Sequence, residues 1–92
     1  MKPDVLASAL RTISGTVKVA VQVAVDAGGK VTSAEFADAG PSKYFANKSM
    51  DAARRSTFRP AEADGQARAS IWILRYDFRQ SGVTVTPEET EP

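Results

Sequence analysis

Valines stand at positions 17, 19, 21, 23 and 25, and the residues between and around them, Thr16, Lys18, Ala20, Gln22, Ala24 and Asp26, are small or polar. Successive side chains of an extended chain point to opposite faces, so this alternation puts every valine on one face. β-Branched side chains suit a pleated surface. The run Thr16–Asp26 therefore predicts a strand with one buried face. A one-residue slip in its pairing would turn the whole valine row into water, so its register is strongly specified.

The neighbouring segments supply the cover this face needs. Asp26-Ala27-Gly28-Gly29 is turn chemistry, since glycine adopts the positive φ of a tight hairpin without strain. A second strand, Lys30 to about Asp38, returns antiparallel, with Val31, Ala34 and Phe36 imperfectly patterned. Ala39-Gly40-Pro41-Ser42 ends it and offers Ser42 as a helix N-cap. Lys43–Arg55 is helical in composition, with Phe45, Ser49, Met50 and Ala53 on one face; Arg54 and Arg55 suit its carbonyl end, and Pro60 blocks continuation. Upstream, Asp4–Ile13 carries Val5, Leu6, Ala9, Leu10 and Ile13 at helical spacing, with Gly15 placed as a left-handed cap.

After a polar loop, Ala61–Ala67, a third strand spans Arg68–Arg79, with Trp72, Leu74, Tyr76 and Phe78 on one face and Ile71, Ile73, Arg75 and Asp77 on the other. Ser81-Gly82 breaks it. Val83–Thr86 has the residues for a short fourth strand, and Pro87–Pro92 reads as disordered. The expected fold is α+β: a three-stranded antiparallel sheet, four with that short strand, carrying two helices on one face in the order α-β-β-α-β. Residues 1–80 are expected to form the domain, and 81–92 the short candidate strand and a flexible acidic tail.

Composition narrows the function. The chain has 92 residues, enough for one small core, and 42% of them are hydrophobic. Histidine and cysteine are absent, which removes the commonest transition-metal ligands, the thiol nucleophile and the neutral-pH proton shuttle. The expectation is no enzyme, no metal and no cofactor. The carboxylate pairs Glu35/Asp38 and Glu62/Asp64 sit at strand ends or in loops, where nothing would perturb them for acid–base work. Asp26-Ala-Gly-Gly lacks the lysine and following helix of a phosphate loop. Net charge is +1, with Glu88, Glu89 and Glu91 gathered at the end. This is not a polybasic nucleic-acid binder. No stretch approaches the roughly 18 apolar residues of a membrane span. The opening Met-Lys-Pro-Asp lacks a signal-peptide core, so the sequence reads as cytosolic or as a soluble piece of a longer chain.

Several blocks, taken in order, resemble the C-terminal domain of TonB, the energy transducer of Gram-negative envelopes. They are Gly15-Thr-Val-Lys-Val-Ala-Val-Gln-Val, Gly29-Lys-Val, the stretch from Ala39 to Pro60, the turn at Asp64-Gly65 and the apolar strand Ile71-Trp-Ile-Leu. The family stretch ends Ala-x-Arg-x-Trp-x-Phe/Tyr-x-Pro; here it reads Ala52-Ala53-Arg54-Arg55-Ser56-Thr57-Phe58-Arg59-Pro60. Two positions depart from the pattern. Ser56 stands in place of the tryptophan, with Trp72 placed to refill part of that volume. Val5-Leu6 stand near the place of an upstream Tyr-Pro pair that helps contact the receptor.

The resemblance implies a periplasmic domain of an inner-membrane-anchored protein, reaching the inner-membrane motor proteins through an N-terminal region. Its ligand would be the extended box peptide of an outer-membrane TonB-dependent transporter, added as a strand to an open sheet edge. By the resemblance that edge is the last strand, so the expected partner-binding residues are Ile71, Trp72, Ile73, Leu74, Arg75, Tyr76, Asp77, Phe78 and Arg79. Arg75, Asp77 and Arg79 either protect the edge from aggregation or steer a peptide. Trp72 and Tyr76 are core residues or a ligand platform. Arg54, Arg55 and Arg59 compensate a helix dipole or meet an acidic partner. Two other roles stay open: a divergent adaptor in secretion, motility or sensing, and a self-associating element that forms homodimers.

Overall fold

The computed structural model describes residues 2–59, 61–63 and 65–90. In chain order its elements are α1 (Ala7–Leu10), β1 (Val17–Val25), β2 (Val31–Asp38), α2 (Lys43–Arg55), β3 (Ala61–Ala63), β4 (Gln66–Arg68), β5 (Ser70–Arg79) and β6 (Gly82–Thr90). Four strands form one antiparallel sheet in the order β2-β1-β5-β6, and β3 pairs with β4 in a separate hairpin. The α+β class is as the sequence predicts.

The valine row sets the register. Val17, Val19, Val21 and Val23 lie opposite Phe78, Tyr76, Leu74 and Trp72, so the two apolar rows share one face of the sheet. Both helices cover that face. Phe45, Ala52 and Ala53 of α2 join the buried cluster, and Ala9 and Leu10 of α1 pack against it. Phe45 and Phe78 meet with ring centroids 4.7 Å apart.

Local chemistry fixes the ends of these elements. The Asp26 carboxylate accepts from the Gly28 and Lys30 N–H groups, each at 2.9 Å, while Gly29 takes φ +86°. That glycine is what a type I turn followed by a bulge requires. The Ser42 hydroxyl accepts from Phe45 N at 3.4 Å, capping α2, whose bounds match the sequence expectation. Two register shifts, at Ala20/Val21 and Ala24/Val25, kink the β1–β2 ladder.

Four expectations need correction. The helix expected over Asp4–Ile13 is confined to Ala7–Leu10, because Leu6 at its N-cap has no side-chain acceptor for the first amides. The chain beyond it closes by shorter bonds from Thr12 N to Ala9 O and from Ile13 N to Leu10 O, and Gly15, at φ +79°, turns into β1 instead of capping the helix. The loop expected over Ala61–Ala67 holds the β3–β4 hairpin; Asp64 lies outside the described residues. The short fourth strand runs from Gly82 to Thr90, so Pro87–Thr90 are sheet, not disordered tail; Glu91 and Pro92 lie outside the described residues. The strand expected to be an edge, β5, is interior.

One buried polar group sits awkwardly in this core. Tyr76 is fully buried, and its hydroxyl has no hydrogen-bond partner among the described residues. Burial pushes its phenol up to about 12, a shift that the nearby Ser56 hydroxyl opposes. Ser56 itself donates to Ala52 O at 2.8 Å. An unpaired buried hydroxyl costs free energy. Tyr76→Phe is therefore expected to leave stability unchanged or raise it by up to about 1 kcal/mol in urea denaturation. The folded state also holds the phenol neutral above the pH at which the unfolded chain ionises, so stability is unaffected by this group below pH 10 and declines as pH rises from 10 through 12. The variant should lack that alkaline decline. A loss of more than about 1 kcal/mol in Tyr76→Phe would show instead that the hydroxyl is bonded.

Candidate functional site

The residues expected to receive a peptide are placed by β5 in the middle of the sheet. β1 pairs with one side over Val17–Val25 and β6 with the other over Gly82–Thr90. Main-chain addition at β5 has no free edge to use. Tyr76 and Phe78 are fully buried, Leu74 nearly so, and Trp72 is half-buried. Ile71, Ile73, Arg75, Asp77 and Arg79 face the side of the sheet away from the helices, by the alternation of the strand.

The charged residues of β5 hold β6. Arg75 Nε meets Glu88 Oε2 at 3.2 Å, and Arg79 donates to the Thr84 hydroxyl at 3.3 Å. Arg68, next to β5, meets Glu89 at 3.1 Å. These pairs are exposed and contribute little each. Half-buried Val83 and Val85, opposite Phe78 and Tyr76, add apolar contact with the core.

In the four-stranded sheet, two strand edges remain open among the described residues, β2 and β6. They are not equivalent. The entry to β2 is covered: Lys30 bridges to Thr57, and Phe58 N–H donates to Gly29 O at 2.8 Å. The bulges beneath it twist the edge away from a regular ladder. By contrast β6 follows β5 without a register shift. The Thr90 hydroxyl donates to Ile71 O at 3.1 Å, which turns that carbonyl toward β6. Antiparallel alternation then turns Thr84, Thr86 and Glu88 inward and leaves the main-chain groups of Val83, Val85, Pro87 and Glu89 outward. Pro87 has no N–H, and at an outward position no internal bond is lost. It leaves one gap in the outward row of donors and so discourages indiscriminate pairing.

A half-open hollow of about 240 Å³ borders this edge. Val85 and Pro87 form its β6 wall, Trp72 and Leu74 come from β5, and Ser56, Thr57, Phe58 and Arg59 close it from the segment after α2. The Trp72 and Phe58 rings stack at 5.2 Å with a 35° tilt, and Trp72 Nε1 donates to Ser70 Oγ at 2.9 Å. Trp72 thus lines the space beside Ser56, as the sequence suggested, without filling it. A second, more polar hollow of about 190 Å³ on the opposite face is lined by Lys18, Asp38, Arg75 and Asp77.

The other singled-out groups are dispersed. Arg55 pairs with Asp51 one turn earlier in α2, Arg54 is exposed, and only Arg59 of the three reaches the hollow. Glu35 and Asp38 are exposed on β2, where Asp38 accepts from Gly40 N at 2.9 Å. Among the described residues no helix is long and apolar enough to cross a membrane. The site residues that sequence reasoning missed are Val83, Val85, Pro87 and Phe58. The alternation Val83-Thr-Val85-Thr, which marks a short fourth strand, was the available signal for the two valines.

Residues 7–79 match the family model described as Gram-negative bacterial TonB protein C-terminal. That match ends before β6 begins. No curated protein and no solved structure matches the chain.

Proposed function

Because the chain belongs to the TonB C-terminal family, a family of periplasmic protein-interaction domains, we propose that it docks an extended segment of an outer-membrane TonB-dependent transporter as a further strand along β6. The observation that carries this reading is the free, regular outer edge of β6, bordered by an apolar hollow. Family resemblance points to the strand Ile71–Arg79, but that strand, β5, is already paired on both sides, so the proposal moves docking to β6, the neighbouring edge beyond the family match. Outward main-chain groups at Val83, Val85 and Glu89 supply the ladder, and side chains beside them supply selectivity. The domain performs no chemistry. Joined through an N-terminal region to the inner membrane and its motor proteins, it transmits a pull to the transporter.

A titration of the ¹⁵N-labelled chain with a synthetic transporter box peptide tests this. Saturable amide shifts should concentrate at Val83–Thr90, with β2 unaffected. Shifts confined to Val31–Asp38 would place docking at the other edge and contradict the reading. Light scattering over a range of concentrations should report a monomer. A dimer whose formation the peptide cannot reverse would favour self-association through β6 instead.

A further inference from the structure

Building on strand addition at β6, we infer that the hollow beside Ser56 is the specificity pocket for one aromatic or leucine-sized side chain of the incoming segment, at the position opposite Pro87. Residues directly opposite each other in a sheet send their side chains to the same face. Val85 and Pro87 are the β6 wall of the hollow, so a residue paired with Pro87 stands one strand spacing, about 4.8 Å, outside that wall. Its side chain lies on the same face as the opening, within reach of a long apolar group.

Size and chemistry agree with such an occupant. A cavity of roughly 150 Å³ accepts benzene, and this one holds about 240 Å³. Its aromatic walls, Trp72 and Phe58, are already stacked together, so a third ring or a branched aliphatic group extends an existing cluster. Ser56 offers no free proton, because its hydroxyl donates to Ala52 O. A group that needs a donor finds none in the Ser56 hydroxyl, and the aromatic side of the hollow offers no polar partner in its place. Arg59 also lines the hollow and is in none of the ion pairs among the described residues. It suits a carboxylate two residues from the anchor, on the same face of the added strand.

The test uses the full chain, two probes and two filled variants. Indole alone should give saturable shifts at the Trp72 side-chain N–H and at the Leu74 and Val85 methyls. Heptapeptides of alternating Val and Thr, with Phe or Ser at the fourth position, should differ in Kd by at least about tenfold in favour of Phe. Ser56→Leu and Val85→Phe fill the hollow from two sides, and circular dichroism identifies a folded one. In a folded variant indole shifts should vanish, and the Phe and Ser peptides should bind alike. The inference is overturned if indole shifts none of these signals up to its solubility, or if the Phe peptide has no advantage in the unmodified chain. A peptide pair that binds along β6 with equal affinity sinks the pocket and leaves strand addition standing. If neither peptide binds β6, both proposals fall.

Discussion

Phe78→Ala should cost about 3–5 kcal/mol of unfolding free energy, most of what a domain of this size has. Phe78 has no exposed surface, packs its ring against Phe45 at 4.7 Å, and faces Val17 on one neighbouring strand and Val83 on the other. It is the point where α2, the valine row and the last strand converge. Truncation would leave a cavity bordered by α2 and three strands. The paired backbone of β1 and β5 cannot collapse to fill it, so the cost lies at the upper end of the range. Urea denaturation followed by tryptophan fluorescence reads the change as a lower midpoint. A loss under about 1 kcal/mol would mean that the centre of the sheet is packed differently.

Gly40→Ala is the second large effect, expected to cost more than about 2 kcal/mol. Gly40 turns the chain from β2 into the cap of α2 at φ +71°, a conformation unfavourable for any residue with a Cβ. Sterics add to this. A Cβ at this position would fall 2.5 Å from the carbonyl oxygen of Lys18, a backbone atom of β1 that cannot move without disturbing the sheet. Gly15 provides the comparison: its φ is +79°, but no atom lies within 4 Å of where a Cβ would be. Gly15→Ala should therefore cost only the conformational term, about 1 kcal/mol. Equal losses in the two variants would show that the close approach between Gly40 and β1 is absent.

The parts of this fold that are legible in the sequence are those with a strong, one-sided pattern. The valine alternation gives β1 and its register because a half-buried central strand must keep one apolar row. α2 is bounded by Ser42 at one end and, at the other, by the arginine pair before Pro60, and its limits follow from those residues. β6 is harder to read. An edge strand with one weakly buried face needs few apolar residues, and Pro87-Glu88-Glu89 reads as tail because proline and charge are confined to sheet edges and rarely mark a strand. The sequence marks only Val83–Thr86 as a short fourth strand, and with so little of β6 legible, β5 looks like the edge. The β3–β4 hairpin, built largely from alanine and polar residues around Gly65, also leaves little hydrophobic signal.

Ser56, Phe58 and Trp72 line an opening beside β6, with the two rings 5.2 Å apart. That opening favours β6 over β2 in the proposed docking. β2 offers unpaired main chain but is bulged against β1 and covered at its start by the bridge from Lys30 to Thr57.

Amide hydrogen exchange with and without a saturating transporter box peptide tests the docking edge most directly. The prediction is that the outward amides of Val83, Val85 and Glu89 exchange quickly in the free chain and slow by about tenfold or more when peptide is bound, while Thr84, Thr86 and Glu88 stay protected throughout. Loss of protection at Thr84, Thr86 and Glu88 on adding peptide, with no slowing at the outward amides, would contradict it. That result would mean that the peptide takes the place of β6 beside β5 and does not add to it.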